Sequence, residues 1–464
     1  MDTITDLRKK KKKIICCLLL LIVFVGGCAP LLPPEADLPP IPSETQQPAA
    51  LPTTWTPVPV ITTTPTSIAK FFPGELLLAY ILDDTIYLWK DGEVVELHAQ
   101  ERISNPAISY DGTWVTFYQY EQTEYPIVEI WAIGIDGNNL HRLLSREEIT
   151  ALPEDDSQLM IRDYDWMPTT HKLLFTTLRV IEGPPGVSPM FDLYLLDISG
   201  ELHQLAPPGE GGDYFPSPDG RYVATSTTRR IALIDLETGE NQTLLEFDPL
   251  LIPTESWRTP NLYWDRTSQH FTATIPPSDI YTPSDWPGGY AGGLEQIWRM
   301  HITGEVELLA EVEPSVGTPT VLSISPYAEY YFSIETGVCG DGAFFITHLR
   351  TLPDGKELLT LPCSSEFPDW LPDGKSYLYR SEGKWFIGDV HESIMHELNF
   401  GNNPAAGNVP RHSMEWIDHT SLLLRNRSSE GCIISLGNRD GLLFPLGKSD
   451  TSSCPWITFR IPSD

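Results

Sequence analysis

Positive charge is scarce in this chain. Its 31 Lys and Arg face 63 Asp and Glu, for a net charge of −32. Such a surface repels phosphate backbones, so nucleic acid is excluded as a partner. Catalytic motifs are scarce too. No Gly-x-Ser-x-Gly elbow occurs, so an α/β-hydrolase nucleophile has no place to sit. No stretch after the last repeat could hold an appended hydrolase domain. "HESIMH" (His391–His396) has the wrong spacing for a zinc-binding His-Glu-x-x-His and reads as solvated histidines on a strand link. "GGYAGG" (Gly288–Gly293) lacks the Lys-Ser/Thr of a phosphate loop, and no calcium loop of the Asp-x-Asp-x-Asn-Gly type is present. The sequence therefore predicts no metal and no cofactor. Acidic runs such as Glu154-Asp155-Asp156 read as solvated loop charges.

What is present begins with a targeting segment. "RKKKKK" (Arg8–Lys13) is followed by the apolar "IICCLLLLIVFV" (Ile14–Val25). At about a dozen residues the apolar run is short for a membrane span, which needs about 20. "VGGC" (Val25–Cys28) follows, and this basic, apolar, small-residue, Cys order resembles the lipobox of bacterial lipoproteins. The resemblance implies cleavage after residue 27, diacylation of Cys28, and an extracytoplasmic protein held on a bacterial envelope membrane. Residues 28–70 then form a linker. Ala29–Ser67 is rich in Pro and Thr and contains no Gly, so it cannot bury a core and favours extended polyproline-like structure.

From residue 71 to 464 the chain is expected to be all-β. "DYFPSPDGRYVAT" (Asp213–Thr225) places Pro218-Asp219-Gly220 between two strand-like runs, and each residue suits a tight turn. The unit recurs, with windows starting at Asn105, Asp163, Asp213, Asn261, Val321, Phe367 and Ser413. Their fourth column holds Ile108, Trp166, Pro216, Trp264, Ile324, Trp370 and Trp416. Asp-Gly pairs occupy the turn at Asp111-Gly112, Asp219-Gly220 and Asp373-Gly374. Starts lie 46 to 60 residues apart, and hairpin-like segments follow each window. A period of this length with four strands per unit predicts a β-propeller. The windows are similar to the "SPDG" repeats of the TolB-like, WD40-like propeller family, a likeness that implies a fold and no particular activity.

Three strands (residues 76–98) precede the first window, and one, "CPWITFRI" (Cys454–Ile461), is left over at the end. Pairing them closes an eight-bladed ring; seven blades is the alternative. In such blades the a–b and c–d turns share one face, while the b–c and d–a connections share the other. The six longest connections all fall in the second class, and long loops on a rigid scaffold are where binding usually resides. Tyr281, Trp286, Tyr290, Trp257, Arg258 and Tyr125 are the candidate binding residues there.

The function expected is an envelope-anchored binding or scaffold module for protein, peptide or glycan. A propeller glycosidase or lyase acting on extracellular polysaccharide is the competing reading, because carboxylates can be assembled across blades. Four cysteines lie in the body. Repeat position pairs Cys339 with Cys363 and Cys432 with Cys454, each joining the start of a c-strand to the exit of its d-strand.

Overall fold

The computed structural model describes residues 76–121, 127–153, 159–180, 187–248, 259–276, 294–312, 323–339, 342–363, 365, 368–398, 414–418, 420–428, 431–438, 443–449 and 457–460. Cys28 and the linker lie outside these residues, so their assignments stay expectations. Among the described residues no helix is long and apolar enough to cross a membrane.

The strands form eight four-stranded antiparallel sheets, the blades of a propeller. Seven take their strands in sequence order. Blade one does not: Leu77–Leu82, Thr85–Lys90 and Glu93–Ala99 pair in turn, and the C-terminal strand Ile457–Arg460 completes it with Leu77 opposite Arg460. The expected closure and the blade count of eight are both borne out. The a-strands of blades one to eight are Ile457–Arg460, Ile103–Ile108, Leu159–Trp166, Asp213–Pro216, Asn261–Trp264, Ser323–Ile324, Asp369–Trp370 and Met414–Trp416.

The core is divided in the same way. Eight apolar clusters are described, and each joins two neighbouring blades. The cluster around Leu76, Leu78 and Tyr80 packs on Ile417, Leu423 and Ile434, joining blade one to blade eight. The ring is therefore closed by packing as well as by strand pairing.

The tryptophans of the fourth repeat column now have a physical role. Trp166 Nε1 donates to the Ala107 carbonyl at 3.2 Å, Trp264 to Phe215 at 2.8 Å, and Trp370 to Ser323 at 3.0 Å. Each acceptor is the third-column residue of the preceding blade. Each indole thus fills an interface and has its N–H satisfied by a carbonyl of the neighbouring blade.

The tight turns are also linked around their face. His171 bonds Asp111, and Thr169 Oγ1 donates to the Asp219 carbonyl at 2.9 Å. The Asp219 amide donates to Ser268 Oγ at 3.1 Å. The Arg266 guanidinium lies 3.9 Å from the centre of the Tyr327 ring and donates to the Asp373 carbonyl at 2.9 Å. Turns of blades two to seven therefore brace one another.

Some boundaries differ from expectation. The b–c connection expected over 181–190 is shorter, because the c-strand starts at Val187 and pairs with Val180. Ser145–Gln158 contains a short helix, α1 (Arg146–Thr150), closed by a reciprocal Ser145–Glu148 capping box. His396 sits within the d-strand Glu392–Leu398 and only His391 lies at the link. Cys339 ends the b-strand Tyr330–Cys339 and lies opposite Gly342, the first residue of strand c, which it precedes as expected. Cys363 and Cys432 each take part in a disulfide bond.

Candidate functional site

The a-strands surround a central cavity of about 1090 Å³. Its charged lining comes mainly from blades one, three and four. The a-strand of blade three is bulged between Ile161 and Asp163, so Arg162 has no partner across the pair. A bulge re-aims side chains. Here Arg162 and Asp163 follow each other into the channel, with Asp165 two residues on. The neighbouring a-strand of blade two is also irregular, between Ser104 and Ala107, and Asn105 takes a φ of 48°.

Two of the three carboxylates have arginine partners. Arg162 pairs with Asp213, which also accepts from Thr259 Oγ1. Arg460, from the closing strand, stands 3.8 Å from Asp165. Its guanidinium lies 3.7 Å from the centre of the Tyr110 ring and donates to the Ile108 carbonyl at 3.4 Å.

Asp163 has no such pair. It accepts the backbone N–H of Tyr164 at 2.9 Å. The carboxylate is open to the cavity yet walled in by protein. That burial raises its pKa, and Asp213 adds to the effect against the opposing field of Arg162. Burial likewise raises Asp165, which Arg460 and the Trp166 amide offset only in part.

Several polar groups beside Asp163 lack partners. Thr176 sits opposite Asp163 in the pairing, lines the cavity, is 2% exposed, and its Oγ1 has no hydrogen bond. The hydroxyls of Tyr118 and Tyr214 and the Asn105 side-chain oxygen are also buried without partners. Burial pushes both tyrosines well above their usual range, and both feel the Asp163 charge. The Tyr118 ring packs tilted at 4.6 Å against Tyr164, whose hydroxyl bonds the Asn105 carbonyl. Buried polar groups in native proteins are almost always paired. Thr176 and Tyr214 line the cavity, and orphaned polar groups at a cavity wall are the signature of a site that something polar fills.

The candidate residues read from the sequence fall elsewhere. Tyr125, Trp257, Arg258, Tyr281, Trp286 and Tyr290 all lie outside the described residues. The strands bounding their connections end on the face opposite the tight turns, as expected. The channel residues were missed, although the first repeat column carried a signal. It reads Asn105, Asp163, Asp213 and Asn261 in four consecutive blades, then Val321, Phe367 and Ser413. Of these, Asp163, Asp213 and Asn261 line the cavity. Among the described residues no group of three His, Cys, Asp or Glu could hold a metal ion.

Neither a protein-family model nor a curated protein matches the chain. Among solved structures it is similar to a eukaryotic initiation factor, with 10% identity over 84% of this chain and 99% of that one, and a TM-score of 0.48. An oligogalacturonate lyase in complex with manganese gives 16% identity, 75% and 87% coverage, and a TM-score of 0.42. TolB from Acinetobacter baumannii gives 14%, 75% and 82%, and 0.31. At such scores the architecture rests on the strand pairings themselves.

Proposed function

We propose that this chain is an envelope-tethered binding propeller, anchored through a lipid on Cys28 and held off the membrane by its Pro- and Thr-rich linker. It takes a protein, peptide or glycan ligand into the central channel from the face of long connections. The observation that carries this reading is the cluster of buried, unpartnered hydroxyls around Asp163 in the channel wall. Such groups cost stability unless a ligand or water pairs them. The tight-turn face, braced from blade to blade, suits the role of scaffold.

The test has two parts. Cys28→Ala should abolish acyl labelling and release the protein from membranes or leave its precursor uncleaved; unchanged labelling refutes the anchor. Peptide and glycan arrays should then give binders that Asn261→Trp displaces. Asn261 is exposed and lines the cavity, so a larger ring there obstructs the channel without entering the core.

A second reading has one observation in its favour. Asp163 and Asp213 share the cavity in contrasting environments, one raised by burial and one held in an ion pair. Such a contrast is how paired carboxylates divide acid and base roles. Release of reducing ends or unsaturated products from polysaccharides, lost in Asp163→Asn, would support an enzyme.

A further inference from the structure

We infer that the recess around Asp163 is a binding site for an ammonium group, carried by a small amine or by the amino end of a peptide. This rests on the channel-binding reading and adds the chemistry of the ligand. Charge is the first argument. The recess holds Asp163, Asp165 and Asp213 against Arg162 and Arg460, and both arginines are engaged with the other two aspartates. Asp163 is left with one backbone hydrogen bond and no ion pair. An anionic ligand would meet this carboxylate with no free cation to offset it.

Hydrogen-bonding capacity is the second argument. The groups without partners are the hydroxyls of Thr176, Tyr118 and Tyr214 and the side-chain oxygen of Asn105. All can accept. Among the described residues, Arg162, the cationic donor next to Asp163, pairs with Asp213. The recess thus offers acceptors beside an unpaired carboxylate, and the donors of its orphaned groups are three uncharged hydroxyls. An ammonium group brings three donors and no acceptor, and so complements it. A divalent metal does not, because a single carboxylate among neutral hydroxyls is a poor donor set for one.

Two further features suit a cation. The rings of Tyr118 and Tyr164, 4.6 Å apart, pack behind the recess, and aromatic groups favour a nearby cation. The net charge of −32 draws cations toward the channel mouth.

The experiment is calorimetric titration of the full chain with triglycine, N-acetyl-triglycine and 1,5-diaminopentane. Triglycine or the diamine should bind, and the acetylated peptide should bind on the order of 10- to 100-fold more weakly, the worth of a charge-assisted hydrogen bond. Binding of the peptide alone identifies an amino terminus as the ligand; binding of the diamine alone identifies a free amine. Asp163→Asn should weaken whichever binds by a similar factor, and Asp163→Glu should restore part of it. Equal binding of the free and acetylated peptides, both lost in Asn261→Trp, overturns the ammonium inference while the channel reading stands. Amine binding that survives Asn261→Trp, or no amine binding at all, overturns the inference whatever the arrays show.

Discussion

Gly220 turns at a φ of +72°, and a Cβ built on it would lie 2.0 Å from the Pro168 carbonyl oxygen of the neighbouring blade. Gly239 has nearly the same φ, +74°, but nothing within 4 Å. The two separate a clash from a backbone preference. Gly239→Ala should cost about 1 kcal/mol, the left-handed penalty alone. Gly220→Ala should cost about 2–4 kcal/mol, because backbone must move; equal losses in chemical denaturation would refute the inter-blade contact. The turn at Gly220 was legible in the sequence because Pro-Asp-Gly needs no partner to be recognised. Asp163 was not, since its meaning depends on a bulge and on residues in blades two and four. Its energetics give a second prediction at this scale. A carboxyl whose folded pKa is raised binds protons more tightly in the native state, so its contribution becomes unfavourable as pH rises through the unfolded and then the folded pKa. Above both values that penalty is complete. Asp163→Asn should therefore raise the melting temperature at pH 7, and the gain should vanish below about pH 4. A loss of stability at pH 7 would mark Asp163 as structural.

At the scale of the element, the repeat column of tryptophans shows what periodicity can and cannot convey. The column was visible, and its burial follows from its place on an inner strand. Its alternation was visible too, but only the structure explains it: Trp166, Trp264 and Trp370 donate across to blades two, four and six, where the same column holds Ile108, Pro216 and Ile324. Trp416 breaks the pattern, for its Nε1 is buried without an acceptor. Trp264 and Trp416 are 7% and 8% exposed, so replacing either by Phe removes similar packing. The difference between the two variants isolates the N–H. Trp264→Phe should be the more destabilising by about 1 kcal/mol, since removing an orphaned donor relieves a penalty while removing a paired one loses a hydrogen bond. Equal losses on thermal unfolding would mean that the indole bonds contribute nothing. Helix α1 escaped the sequence reading for the opposite reason. Five residues are too few to show a helical period, although the Ser145-to-Glu148 capping box stands in the sequence.

For the whole molecule, the decisive clue was arithmetic: three strands at the front and one at the back. A ring with an open blade edge invites pairing with another chain, so the spare strand had to close it. The cysteines bear on the same closure. Cys432 is fully buried and lies opposite Ser449 on the last d-strand, which leads toward the closing strand. We expect non-reducing peptide mapping to join Cys432 to Cys454 and Cys339 to Cys363, each worth roughly 3 kcal/mol; a Cys363–Cys432 bridge would refute the blade register. The closing strand itself offers the strongest test of the architecture. Removing Ile457–Arg460 uncovers the edge of Leu77–Tyr80 and the cluster that joins blades one and eight. It also removes Arg460 from Asp165 and Tyr110 in the channel. The truncated chain should aggregate. Continuity, by contrast, should not matter to the fold, because every other blade runs from a to b through a tight turn. A permuted chain that places residues 451–460 before residue 76 through a Ser-Pro-Asp-Gly turn should therefore be monomeric and cooperative in unfolding. Its melting temperature should fall only by what the lost Cys432–Cys454 staple contributes if that bridge cannot form. A permuted chain that aggregates like the truncated one would show that closure depends on the order of the chain and not on the pairing alone.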